Sequence, residues 1–168
     1  TAANCWDFLA TSKISRTDLI VGIGGGAVTD LVGFVAATWL RGTAAVLVPT
    51  TVLGMVDAAV GGKCGINTEF GKNLVGSFSD PVAVFCDTDL LSTLDLAEVK
   101  SGFAEIIKCG FIADPEILNI VELAGKDILN TDSNSFLDVA VRAIKVKANV
   151  VSDDQFERSQ IDVGRAAL

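Results

Sequence analysis

A chain of 168 residues, half hydrophobic and one fifth charged, has room for one domain with a full core, or for one domain and part of another, and is too apolar to be disordered. Its net charge of −8, with no basic stripe to offset it, excludes nucleic acid as a natural partner. Gly, Thr, Asp or Arg breaks every long apolar run, so no membrane span is expected, and no signal-peptide pattern is present.

Residues 2–11 read as a helix with Trp6, Phe8 and Leu9 on its apolar face and no clear cap at its start. Ser12 to Thr17 is a polar connection. Leu19–Ile23 is a short apolar run and reads as a buried strand, ending in Gly24-Gly25-Gly26. A helix from about Ala27 to Leu40 follows, with Val28, Leu31, Val32, Val35 and Trp39 inward, and Arg41-Gly42 stops it. Ala44–Val48 is the next buried strand. Pro49 closes it, and Thr50-Thr51 can cap a helix over Val52–Ala59. Strand, helix, strand at this spacing is the βαβ unit of a parallel sheet.

Gly61 to Phe78 is then an excursion, read as a hairpin, and Val82–Cys86 is a third buried strand. From Leu94 the character changes. Leu96–Phe111, Pro115–Ala124 and Asn134–Val151 have helical periods with no strand signal between them. The fold class is therefore α/β: part of a Rossmann-like nucleotide-binding domain with a parallel sheet over 1–94, then part of an all-α domain over 95–168. Ser159 to Leu168 reads as a helix end with nothing to pack on. There is no internal repeat.

The four cysteines, Cys5, Cys64, Cys86 and Cys109, lack paired spacing and are expected as free thiols of a reducing, cytoplasmic compartment. The chain has no histidine, so neither an imidazole base nor a histidine metal site can be completed within it.

The most chemical stretch is Asp57-Ala-Ala-Val-Gly-Gly-Lys63 with Gly71-Lys72-Asn73: an acid, two lysines, an amide and several glycines with little to bury. Lysine is a compact point charge suited to phosphate or carboxylate. A solvated hairpin is the bland alternative. Gly24-Gly25-Gly26 follows a strand and opens a helix, where main-chain N–H groups and the helix dipole favour phosphate. It reads equally as a tight turn that packs a helix close to a sheet. Asp30 lies one turn into that helix, and the Thr50-Thr51 hydroxyls stand at the same edge of the sheet. Glu105 and Lys108 lie three apart on one helical face, as a surface ion pair or as a metal-ligating carboxylate beside a substrate lysine. Lys145 and Lys147 lie on different faces, so at most one points into a site.

Taken together and in order, Gly24–Gly42, Val48-Pro-Thr-Thr51, Asp57–Lys63, Gly71–Gly76 and Ala104-Glu-Ile-Ile-Lys108 resemble the 3-dehydroquinate synthase family, from about Asp18 to about Arg158. The resemblance implies a Rossmann-like domain and a helical domain with the active site between them. It implies conversion of 3-deoxy-D-arabino-heptulosonate 7-phosphate to 3-dehydroquinate and phosphate in the shikimate pathway. NAD would be used catalytically, and a divalent metal, zinc or cobalt, would act as a Lewis acid. By position, Gly26, Ala27, Asp30, Thr50, Thr51 and Thr93 match cofactor contacts, and Lys63 and Lys72 are shared between cofactor and substrate. Asp57, Asn73, Lys108 and Lys147 match substrate-binding positions. Arg41 matches an arginine reaching the phosphate from a neighbouring subunit, so a homodimer is implied for the full-length protein. Glu105 matches the carboxylate metal ligand.

The departures are specific. The family's other two metal ligands are histidines, and none is present. Ile161 stands where a substrate-carboxylate arginine is expected, and Cys64 replaces a threonine. The chain is therefore expected to be an internal fragment or truncated copy, inactive alone. The alternatives are a related sugar-phosphate cyclase, a metal-dependent glycerol or alcohol dehydrogenase of the same architecture, and a copy that only binds nucleotide.

Overall fold

The computed structural model describes residues 1–154, so the expectations for Ser159–Leu168, including that for Ile161, lie outside the described residues. The elements are α1 (Ala2–Thr11), β1 (Leu19–Gly24), α2 (Gly26–Thr38), β2 (Ala44–Pro49), β3 (Lys63–Thr68), β4 (Gly71–Phe78), β5 (Ala83–Val84), α3 (Leu96–Ile112), α4 (Glu116–Ala124) and α5 (Asn134–Asp153). The fold is α/β, with a parallel sheet in the order β1-β2-β5 and a separate antiparallel hairpin, β3-β4.

β1 and β2 pair in parallel from Leu19↔Ala44 to Gly24↔Pro49, with α2 as the crossover. Two indole N–H groups tie this layer together: Trp6 donates to Thr38 Oγ1 and Trp39 to the Ile14 carbonyl, each at 3.1 Å. A small core of Ala2, Leu9, Phe34 and Val35 forms where α1 meets α2. The larger core lies among the helices, around Ile106, Ile117, Val139 and Ala143, and Val52, Met55 and Val56 enter it from the segment after β2.

Several sequence expectations need correction. β1 is not buried on both faces: Leu19, Val21 and Ile23 are exposed. The third strand shrinks to Ala83–Val84, flanked by exposed Val82 and Phe85, because only Val46 and Leu47 of β2 run alongside it. Phe8 is exposed, while Leu9 carries the burial on α1. On α2 the inward set is Thr29, Gly33, Phe34, Val35 and Ala36, so Val28 lies outside it. The helix expected over Val52–Ala59 is one short turn that widens into a π-helical turn, Gly54–Ala58. There the Ala59 N–H donates to the Gly54 carbonyl at 3.0 Å, five residues back instead of four.

Candidate functional site

The turn from β1 into α2 lies at the carboxyl edge of the parallel strands, where open α/β sheets hold nucleotides. Its glycines are first of all packing devices. A Cβ at Gly25 would lie 3.0 Å from Thr51 Cγ2, and one at Gly26 would lie 3.3 Å from Ala58 Cβ. The α2 start is thereby held against the loop after β2. Thr51 caps that loop, its Oγ1 accepting the Gly54 N–H at 3.0 Å, and the Thr50 N–H is taken by the Gly24 carbonyl at 2.9 Å. The opening N–H groups of α2, at Gly26 and Ala27, have no acceptor within the helix and point along its dipole. This edge fits a dinucleotide phosphate.

One turn further, Asp30 lines a cavity of about 350 Å³ against the hairpin, with Lys63, Cys64, Gly65, Asn73, Gly76, Ser77 and Phe78. Burial, then the charge of Asp57, raises the Asp30 carboxyl above its ordinary range. Lys63 is pulled down, chiefly by burial and then by Lys147 and Lys108, with Asp57 opposing. Burial likewise raises the Cys64 thiol, which donates to the Ser77 carbonyl at 3.2 Å.

The π-helical turn aims Asp57 towards α5. Lys147 Nζ lies 2.7 Å from Asp57 Oδ1, and the lysine side chain keeps 8% of its exposure. Lys145, two residues earlier, is exposed. On α3, Lys108 is ion-paired with Glu105, both half-buried. Glu105 Oε2 is shut off from water and accepts no hydrogen bond of good geometry. Its charged partner is the Lys108 ammonium, and a carboxylate so placed suits a metal ligand. The described residues, however, contain no group of three or more Cys, Asp or Glu able to hold an ion. They do not make a metal site by themselves.

Asp30, Asp57, Lys63, Asn73, Glu105, Lys108 and Lys147 thus fall into one neighbourhood, joined through Lys63. Three expected residues join neither this neighbourhood nor the edge formed by Gly26, Ala27, Thr50 and Thr51. Lys72 is exposed on β4, Thr93 is exposed at the end of a 3-10 turn (Thr88–Thr93), and Arg41 is exposed in the turn Trp39–Arg41. Leu40 and Arg41 there have φ of 48° and 67°. Asn73 lines the cavity with its own φ at 52° and its N–H donating to Asn67 Oδ1 at 3.0 Å. Gly65, Ser77 and Phe78 were not foreseen. The hairpin register supplies the missing signal: Lys63 faces Phe78, Cys64 faces Ser77 and Gly65 faces Gly76.

Comparison with known proteins gives a consistent result. The 3-dehydroquinate synthase N-terminal family matches residues 1–101, and its C-terminal counterpart matches residues 102–163. A 3-dehydroquinate synthase of Cutibacterium acnes is 54% identical over 167 residues, which are 98% of this chain and 46% of the relative. The chain thus spans about half the length of the curated relatives it matches. Among solved structures, a 2-epi-5-epi-valiolone synthase from Streptomyces hygroscopicus, with NAD+ and Zn2+ bound, superposes with a TM-score of 0.90 at 28% identity, over 94% of this chain and 45% of that one. A 2-deoxy-scyllo-inosose synthase complexed with carbaglucose-6-phosphate, NAD+ and Co2+ gives 0.81 at 28% identity, over 96% and 44%. A sheet edge built for a nucleotide, a cluster of lysines beside it, and two adjoining family matches lead to one conclusion: the chain belongs to the 3-dehydroquinate synthase family.

Proposed function

We propose that this chain supplies the central part of a 3-dehydroquinate synthase, in which 3-deoxy-D-arabino-heptulosonate 7-phosphate loses phosphate and closes to 3-dehydroquinate. The observation that carries this is the convergence of Lys63, Lys108 and Lys147 around Asp57. A simple alcohol needs no such set of cations. A substrate with a phosphate and a carboxylate does, and elimination needs charge stabilised where it develops. Glycerol or alcohol dehydrogenase chemistry is therefore the weaker reading.

In this reading the Gly26 and Ala27 N–H groups take the cofactor's pyrophosphate, with Thr50, Thr51 and Asp30 along the same edge. NAD, when bound there, would supply reversible hydride transfer at a ring carbon bearing a hydroxyl. Lys63 faces both cofactor and substrate, and Asn73 faces the substrate. Asp57 holds Lys147 in place for an anionic group, and Lys108 stands ready for another. Glu105 is the carboxylate that a zinc or cobalt ion would need, but the described residues do not complete its site, so no step is assigned through it. We expect no turnover by the 168-residue chain alone, because a catalytic metal needs more ligands than these residues provide.

We further propose a nucleotide-binding unit over 1–94 and a helical unit over 95–168, a cytoplasmic location, and a homodimer for the whole protein. Among the described residues no strand follows β5 and no helix is long and apolar enough to cross a membrane. Exposed Arg41, apart from the lysine cluster, suits a residue serving a neighbouring subunit. Lys72 and Thr93 remain candidates for cofactor contacts.

A chimera tests the reaction: residues 1–154 replacing the matched segment of the Cutibacterium acnes relative. The expected result is phosphate release from the heptulosonate phosphate without net NADH, lost on Lys108→Met. Net NADH from glycerol, or a folded chimera that releases phosphate only from other ketose phosphates, would overturn it in favour of a dehydrogenase or a different cyclase.

A further inference from the structure

The two ion pairs of the site stand on different elements. Asp57 belongs to the π-helical turn, whereas Glu105 and Lys108 belong to α3. At Gly102, α3 meets the Val52–Leu53 turn that leads into the π-helical turn. A Cβ there would collide with the Leu53 nitrogen and lie 2.6 Å from Val52 Cβ and 2.8 Å from the Val52 carbonyl carbon. Two of these three atoms are main chain and cannot rotate aside. α3 therefore rests on the backbone of the Val52–Leu53 turn at a distance that only glycine permits. Gly102, Glu105 and Lys108 follow at intervals of three, so they lie on one side of the helix.

We propose that Gly102 is a positioning residue for the site: by seating α3 on the Val52–Leu53 backbone it holds Glu105 and Lys108 within electrostatic reach of Asp57, Lys63 and Lys147. The Lys108 charge does act on Lys63, alongside Lys147 and Asp57. Any effect on turnover rests on the synthase reading above; the positioning itself does not. Gly110, on the same helix, provides a contrast. A Cβ there would meet Leu118 Cδ2 at 2.8 Å and Cγ at 3.0 Å, side-chain atoms of α4 and not the main chain of the Val52–Leu53 turn.

The test compares Gly102→Ala with Gly110→Ala in the 168-residue chain, with lysines carrying 13C-methyl labels so that Lys63 can be titrated by NMR. Moving α3 outward takes the Lys108 charge further from Lys63, so the Lys63 midpoint should rise towards the ordinary lysine value in Gly102→Ala. In Gly110→Ala it should stay where it is, even if the variant unfolds at lower urea. A folded Gly102→Ala with an unmoved midpoint, or an equal rise in Gly110→Ala, overturns the proposal. Should Gly102→Ala not fold, hydrogen exchange of the wild-type chain decides. Amides of Val52–Met55 should open together with those of α3, and opening with β1 and β2 independently of α3 overturns it. A shifted midpoint alongside a chimera that makes no dehydroquinate would sink the synthase reading and leave the role of Gly102 standing.

Discussion

Lys147 reaches from α5 to within 2.7 Å of Asp57, on the turn after β2, and the lysine side chain is 8% exposed against 30% for the aspartate. Removing one member of such a pair strands a desolvated charge, whereas removing both does not. Asp57→Asn should lower stability by about 3 kcal/mol, the low end for a buried pair because Asp57 retains some water. Asp57→Asn with Lys147→Met should recover most of that loss. Urea unfolding of both variants and of Lys147→Met closes the cycle, and additive losses would show that the pair is not coupled.

Asp30 gives a pH signature. Its folded pKa is raised by burial and by Asp57, so the folded state holds the proton more tightly than the unfolded chain does. Stability then falls as pH rises from the ordinary value of 3.8 through the higher folded value, and is level above it. Asp30→Asn should be more stable than wild type at neutral pH, with the difference vanishing below 3.8. A gain that is independent of pH would point to packing instead.

Ile106 has 0% exposure at the centre of the helical core, and Leu123 has 88%. Ile106→Ala should cost about 2–5 kcal/mol through lost transfer energy and a residual cavity. Leu123→Ser should stay within about 0.5 kcal/mol. Comparing their urea midpoints tests whether the core lies where it is described.

Gly61 has φ of 91°, and a Cβ there would lie 2.7 Å from Val151 Cγ2 on α5. Gly61→Ala should therefore lose about 1–3 kcal/mol from backbone strain, before any adjustment of Val151. Adding Val151→Ala should restore only the steric part, read from thermal midpoints.

The long helices were legible because α3, α4 and α5 repeat apolar residues at helical spacing, and Asp95 and Ser133 cap α3 and α5 as their types suggest. Asp95 accepts from Ala97 and Glu98, and Ser133 from Phe136. The βαβ unit was legible from short apolar runs around a glycine turn. Which face of a strand is covered was not, since the exposure of Val21 and Ile23 depends on what packs there and not on their own hydrophobicity. Nor was the π-helical turn, because a bond from Ala59 to Gly54 instead of Met55 is a choice of register that composition does not encode. In the site, the pair Glu105–Lys108 could be read locally, three residues apart. The pair Asp57–Lys147 could not, because only the fold brings α5 back to that turn.

Val52, Met55 and Val56 sit in the interior shared with Phe103, Ile106 and Val139. The seam seen by family comparison falls between residues 101 and 102, inside α3 itself. Modules of descent and units of folding therefore do not coincide here. A piece severed at 94/95 would carry its helices but leave a pit where Val52, Met55, Val56 and Leu91 belong. It should behave as a molten globule, binding ANS and melting without a sharp transition. A synthetic peptide of residues 50–94, added in trans, should fill the pit and bring the sharp transition back.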